Sequence, residues 1–121
     1  MCKKILVVDD DEINLKLIKA MVEKLGNIVD DVNSGYEAIE KIKSQEYILI
    51  ILDLNMPGID GYETSVTIRN MDGDYYKTLR IVACTADEKK LVEQKALDAG
   101  MNEVINKPVN ILLLQSVIEK F

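Results

Sequence analysis

The sequence predicts an α/β fold built on a parallel sheet, and three observations carry that prediction. Short apolar runs rich in β-branched residues alternate with longer amphipathic stretches along the 121 residues. The strongest run, Ile48-Leu49-Ile50-Ile51-Leu52, contains no polar residue, as a central strand covered on both faces requires. No repeat or low-complexity segment interrupts the alternation. A chain of this length makes one domain, residues 1–121.

Each element follows from local signals. Ile5-Leu6-Val7-Val8 is a β-branched run ended by acids, the pattern of a buried parallel strand. Residues 12–25 read as a helix, with Leu17, Ile18, Met21, Val22 and Leu25 at helical spacing and Gly26 at the C-cap position. Residues 27–32 form a weaker second strand. Ser34 and Glu37 make a capping-box pattern that opens a helix carrying Ala38, Ile39 and Ile42. Residues 48–52 are the third strand, and Asn55-Met56-Pro57-Gly58 is a loop. A third helix covers residues 62–70 and a turn covers 71–74. The fourth strand spans 81–84, followed by a helix over 88–99 that Gly100 closes. Residues 103–105 are a short fifth strand. Pro108 then breaks the chain before a last helix, capped by Asn110 and carrying Ile111, Leu112, Leu114, Val117 and Ile118. Strands alternating with helices in this way give a parallel sheet with right-handed crossovers.

Composition narrows the chemistry. The chain is 48% hydrophobic and 30% charged, the balance of a globular protein. Its 15 basic and 21 acidic residues leave a net charge of −6, which speaks against nucleic acid and a polybasic membrane anchor as partners. No apolar run approaches membrane-spanning length. There is no histidine. Ser-His-Asp and Cys-His catalysis, His-ligated zinc and a phosphohistidine donor within this chain are thereby excluded. Cys2 and Cys84 stand far apart, which excludes a CxxC motif and fits reduced thiols in a cytoplasmic protein.

In an open parallel α/β sheet the site lies outside the carboxyl ends of the strands. The first strand ends in Asp9-Asp10-Asp11-Glu12, the third in Asp53, the fourth in Thr85 and the fifth in Asn106-Lys107. Carboxylates gathered this closely repel one another unless a cation sits among them, and hard oxygen ligands suit Mg²⁺. A carboxylate closing an apolar strand can act as a nucleophile and form an acyl phosphate. A hydroxyl and an ammonium beside it neutralise phosphoryl oxygens. Singly these residues have ordinary explanations: Asp11 and Glu12 as helix N-terminal acids, Asp53 as the start of a turn, Thr85 as a strand residue and Lys107 as a solvated charge. Their joint placement carries the inference.

These residues resemble the receiver domain of bacterial-type two-component response regulators over essentially the whole chain. The matching segments are Val7-Val8-Asp9-Asp10, the run from Ile51 to Gly61 that includes Asp53-Leu54-Asn55-Met56-Pro57-Gly58, Thr85-Ala86 and Lys107-Pro108. The resemblance implies a flavodoxin-like fold with sheet order 2-1-3-4-5. It implies that Asp53 is the phosphoacceptor, loaded from a phosphohistidine on a histidine kinase or histidine phosphotransfer protein. Asp10, Asp53 and the backbone carbonyl of Asn55 would hold Mg²⁺, with Asp9 acting largely through bound water. Thr85 and Lys107 would contact the phosphoryl group. The protein would be a switch rather than an enzyme, with slow Mg²⁺-dependent loss of its own phosphoryl group. The Lys107-Pro108 bond is similar to one that is often cis in that family, whereas trans is the default for any X-Pro bond.

One position departs from the pattern. Many receivers carry an aromatic on the fifth strand where Val104 stands, so an aromatic rotamer switch is not expected here. The output face implied by the resemblance is the 88–99 helix, the fifth strand and the last helix. Glu12-Ile13-Asn14-Leu15 looks like receivers attached to hybrid histidine kinases, with Ile13 either a docking contact or a peripheral core residue. The competing enzymatic reading is a small Mg²⁺-dependent phosphatase using Asp9 and Asp11.

Overall fold

In the computed structural model, which describes residues 4–120, five strands and six helices follow one another along the chain. They are β1 (Lys4–Val8), α1 (Glu12–Lys24), β2 (Ile28–Val32), α2 (Gly35–Ser44), β3 (Leu49–Asp53) and α3 (Gly61–Arg69). After these come α4 (Asp74–Thr78), β4 (Arg80–Thr85), α5 (Lys89–Asp98), β5 (Glu103–Asn106) and α6 (Ile111–Glu119). All strand pairs are parallel, in the order β2-β1-β3-β4-β5. This is the flavodoxin-like arrangement that the family resemblance implied. Cys2 lies outside the described residues.

Side chains alternate across each strand, so the sheet divides its apolar residues between two layers. Ile5, Val7, Leu49, Ile51, Val82, Cys84 and Ile105 pack with Leu15, Ile18 and Val22 of α1 and Leu114, Val117 and Ile118 of α6. Leu6, Val8, Ile50, Leu52, Ile81, Ala83 and Val104 face the other way, against Ala38, Ile39 and Ile42 of α2, Ile68 of α3 and Ala96 of α5. All five residues of β3 are buried, which explains why residues 48–52 read as a two-sided core strand.

The helix ends are set by short polar side chains. Asp11 caps α1, accepting from the backbone N–H groups of Ile13 and Asn14. Asn110 caps α6 as expected, accepting from Leu113 N–H at 2.9 Å. Ser34 caps α2, accepting from Glu37 N–H at 3.2 Å. The reciprocal capping box forms elsewhere: Asp60 accepts from Glu63 N–H at 2.9 Å, and Glu63 accepts from Asp60 N–H at 3.3 Å, at the start of α3.

Two features differ from the sequence-based expectation. A short helix, α4, follows the turn at 71–74. Its Gly73 N-cap makes no side-chain bond, and it is anchored instead by Tyr75 and Tyr76 packing on the core. Leu17 and Leu112, placed on the helical core stripes, are 53% and 73% exposed because the sheet covers only one flank of α1 and α6. Leu15 takes the buried place on α1. The Lys107-Pro108 bond, whose isomer the sequence left open between the family's frequent cis form and the trans default, is cis.

Candidate functional site

The carboxyl ends of β1, β3 and β5 bring Asp9, Asp53 and Lys107 together through strand alternation. Val8 pairs with Leu52 across the β1–β3 ladder, so the next residues, Asp9 and Asp53, leave the sheet side by side. Both keep the phase of the α1/α6 layer, as does Lys107 after Ile105. The result is a buried acid pair: Asp9 is 1% exposed and Asp53 is 4% exposed. Lys107 Nζ lies 3.3 Å from Asp9 Oδ2 and 3.3 Å from Asp53 Oδ1, one cation shared between two carboxylates. Asp10 is exposed beside them, and carboxylate oxygens of Asp9, Asp10 and Asp53 lie within 4.8 Å of one another.

The two buried acids are held differently. Asp9 Oδ1 accepts from Asp11 N–H at 2.9 Å, and its Oδ2 accepts from the Asn14 side-chain amide as well as facing Lys107. Asp53 Oδ1 accepts from Lys107 and from Asn55 N–H, both at 3.3 Å. Burial, followed by repulsion from Asp9, pushes the Asp53 carboxyl up to about 6, with Lys107 and the Asn55 N–H opposing the rise. Burial alone would lower the Lys107 ammonium, yet the Asp53 and Asp9 charges outweigh it and hold the group above its ordinary value. Cys84, which pairs with Asp53 in the β3–β4 ladder, is pushed by burial to about 12 and stays a thiol.

Thr85 ends β4 with its side chain fully buried and belongs to the opposite phase, in line with Ile81 and Ala83. Its Oγ1 accepts from Asp87 N–H at 3.0 Å. Val104 is paired with Ala83 and buried in the same layer, so it adds no polar or aromatic group under Thr85. Asn55 is exposed, and its side-chain amide donates to Asp87 at 3.3 Å across the mouth of the site. Ile13 is 82% exposed, which removes the core reading of that residue.

Three residues beside the site have contacts to which the sequence assigned no role: Asp87, which faces Asn55, Asn106, which ends β5 and bonds the turn after β4, and Asn14, which bonds Asp9. Asn14 stands one turn beyond the Asp11 cap, and that spacing is the signal that places its amide over Asp9. Asp11 itself is used as the α1 cap, and it stands outside the grouped carboxylates. The phosphatase reading that paired Asp9 with Asp11 is therefore not supported.

The combination is an acid cluster of hard oxygen donors with one ammonium shared between its two buried members. Its donor set fits a small divalent cation with oxygen preference, and one carboxylate is left weakly hydrogen-bonded.

Comparison with known proteins gives a consistent answer. The sequence model described as the response regulator receiver domain matches residues 5–119. The chain is 36% identical over 122 residues to hybrid signal transduction histidine kinase L of Dictyostelium discoideum, covering 98% of this chain and 7% of that protein. It is also 36% identical over 119 residues to the aerobic respiration control sensor protein ArcB of Escherichia coli, covering 97% of this chain and 15% of that one. The chain thus spans only a small part of the curated relatives it matches. Among solved structures, the receiver domain of sensor histidine kinase PA1611 from Pseudomonas aeruginosa superposes with a TM-score of 0.90 at 31% identity. That match covers 99% of this chain and 97% of that one, and the PA1611 structure has a magnesium ion coordinated in its active-site cleft. Sequence, sheet order and acid placement agree that the chain belongs to the response regulator receiver domain family and is a receiver of the two-component phosphorelay kind.

Proposed function

We propose that Asp53 is the phosphoacceptor of this receiver and that residues 1–121 work as one switching unit. The observation that carries the reading is the buried Asp9–Asp53 pair sharing Lys107 at 3.3 Å from each. Asp9 engages both of its oxygens, whereas both contacts of Asp53 fall on Oδ1, so Asp53 is the carboxylate with an oxygen available for attack. Its Oδ attacks the phosphorus of a phosphohistidine carried by a histidine kinase or a histidine phosphotransfer protein. An Oδ–P bond forms, the P–N bond breaks, and the imidazole keeps the bonding pair and takes up a proton. In-line transfer needs positioning and charge neutralisation more than acid–base help. Lys107 supplies an ammonium to the incoming phosphoryl oxygens, and the Thr85 hydroxyl supplies a hydrogen bond.

The donor set supports Mg²⁺ held by Asp10, Asp53 and the Asn55 carbonyl, with Asp9 acting through water. When bound, the ion would neutralise phosphoryl charge and relieve the carboxylate repulsion. The acyl phosphate is a mixed anhydride open to water, so slow self-dephosphorylation follows. Ile13 on α1 is an exposed apolar residue near the site and supports docking of the donor's helices there. The α5–β5–α6 face, where Leu91 and Leu112 are exposed, is the proposed output surface. Among the described residues no helix is long and apolar enough to cross a membrane, and we place the domain in the cytoplasm.

The test is acetyl phosphate or beryllofluoride with Mg²⁺, read by intact mass or NMR. The wild-type chain should be modified once, and Asp53→Asn or removal of divalent cations should abolish modification. Modification that persists in Asp53→Asn overturns the assignment.

A further inference from the structure

The turn that follows β4 is held to β5 by a side chain rather than by backbone alone. Thr85 Oγ1 accepts from Asp87 N–H, which closes residues 85–87 into a hydroxyl-capped turn. Thr85 is paired with Asn106 at the end of the β4–β5 ladder. Past that pair the backbone contributes the Lys107 N–H, which donates to the Thr85 carbonyl at 2.8 Å. The Asn106 side-chain amide continues the ladder beyond the strands, donating to the Thr85 carbonyl at 3.2 Å and also to the Asp87 carbonyl. One planar amide thus grips both ends of the turn. On the sheet face below, Val104 offers Thr85 only methyl groups.

We propose that Asn106 is a positioning residue, whose amide clamps the 85–87 turn against β5 and so orients the Thr85 hydroxyl toward an anion on Asp53. A hydroxyl has one proton to donate and two lone pairs. With one lone pair occupied by Asp87 N–H, its geometry is fixed by the turn, and its proton is directed to whatever acceptor stands beside Asp53. Without the clamp the turn keeps its internal bond, the Lys107 N–H bond to the Thr85 carbonyl and the 3.3 Å Asn55–Asp87 contact, and its Asp87 end is no longer tied to β5. The hydroxyl then loses its direction while the fold, whose strands end at this point, is unaffected. This inference deepens the assignment of Asp53 and Thr85 above and rests on it.

The experiment is titration of the full chain with beryllofluoride in saturating Mg²⁺, followed by NMR, for wild type, Asn106→Ala, Asn106→Asp, Thr85→Val and the double variant Thr85→Val/Asn106→Ala. Mg²⁺ affinity without fluoride and melting temperature are measured alongside. Asn106→Ala and Asn106→Asp should each weaken beryllofluoride binding about five- to tenfold, the loss expected for a misdirected hydrogen bond. Asn106→Asp keeps the shape but turns acceptors toward two carbonyls. Asn106→Ala should leave Mg²⁺ affinity and melting temperature at wild-type values, which a merely structural role would not. The double variant should bind no more weakly than Thr85→Val, because Asn106 acts through that hydroxyl. Wild-type binding by Asn106→Ala, or losses that add in the double variant, overturns the proposal. A wild-type chain that binds no beryllofluoride sinks the Asp53 assignment itself, a result visible before any Asn106 variant is compared.

Discussion

Burial and the Asp9 carboxylate both oppose a charge on Asp53, and Lys107 offsets them only in part. The folded-state pKa, about 6 against an ordinary 3.8, means that the folded chain binds the proton more tightly than the unfolded chain. The stabilisation from a protonated Asp53 is fully present below about pH 4 and is lost as pH rises through about 6. Asp53→Asn removes that loss. In metal-free buffer at pH 7.5 the variant should be more stable than wild type by about 1–3 kcal/mol, the size of a two-unit shift discounted for coupling to Asp9. At pH 4 the difference should vanish. Denaturant melts at the two pH values check this, and a variant less stable than wild type at pH 7.5 contradicts it. Asp53 was legible from sequence because a carboxylate ending a five-residue apolar run is hard to leave without a purpose. The contacts of Asp87 and Asn106 were not, because a side chain's long-range partners depend on which strand ends the fold brings near it. A run of residues does not encode that directly.

The strands were legible as elements because burial on both faces demands unbroken apolar runs, and all five stand within a residue of their expected bounds. The five longer helices were legible through spacing and end signals. α4 was not, since five residues with an uncapped glycine start carry neither. Leu17 and Leu112 were misplaced for a related reason. A helical stripe shows which residues share a face but not how wide a face the sheet covers. The start of α3 shows how an element serves the site. Gly61 N–H donates to the Leu54 carbonyl, and a Cβ on Gly61 would lie 2.5 Å from the Asp53 carbonyl oxygen and 2.8 Å from Leu54 Cα. Both are backbone atoms of the β3 exit, with no flexible side chain to give way. Gly61→Ala should therefore destabilise the chain by about 2–3 kcal/mol, as overpacking does. It should also displace the backbone under Asp53, so modification by acetyl phosphate should slow even where the variant is fully folded. Denaturant titration and mass spectrometry measure the two effects, and an alanine variant equal to wild type in both refutes the close-approach argument.

Across the whole molecule the two ends of the sheet do opposite things. At the end away from the acids, Tyr47 donates its hydroxyl proton to Asp30 at 2.6 Å, and Lys4 lies 3.3 Å from the same carboxylate. Tyr75 accepts from Tyr47 N–H at 2.7 Å, tying α4 to the β3 entry. The Tyr47 bond, aided by Lys4 and opposed by burial, holds the Asp30 carboxyl below its ordinary value, and burial with Asp30 raises the Tyr47 phenol. Asp30 thus adds stability above about pH 4 that is lost as pH falls through its lower folded value. Tyr47→Phe should cost about 1–2 kcal/mol at pH 7, less near pH 3, with beryllofluoride binding intact. At the acid end, repulsion is stored where a cation can relieve it, in a chain whose net charge is −6. Protons and Mg²⁺ compete for the same oxygens there, so the stabilisation given by Mg²⁺ should depend steeply on pH. At a Mg²⁺ concentration a hundredfold above its dissociation constant, linkage predicts about 2.7 kcal/mol of added stability. That gain should hold at pH 7.5, shrink through pH 6 as Asp53 takes up its proton, and be nearly absent at pH 4.5. Asp53→Asn should show a smaller gain at every pH, since one ligand charge is gone, while Tyr47→Phe should keep the wild-type increment. Melts with Mg²⁺ and with EDTA, across that pH range, separate the two ends of the sheet. An increment that is flat with pH, or that Tyr47→Phe removes, would show that the cation acts somewhere other than the Asp9–Asp53 pair.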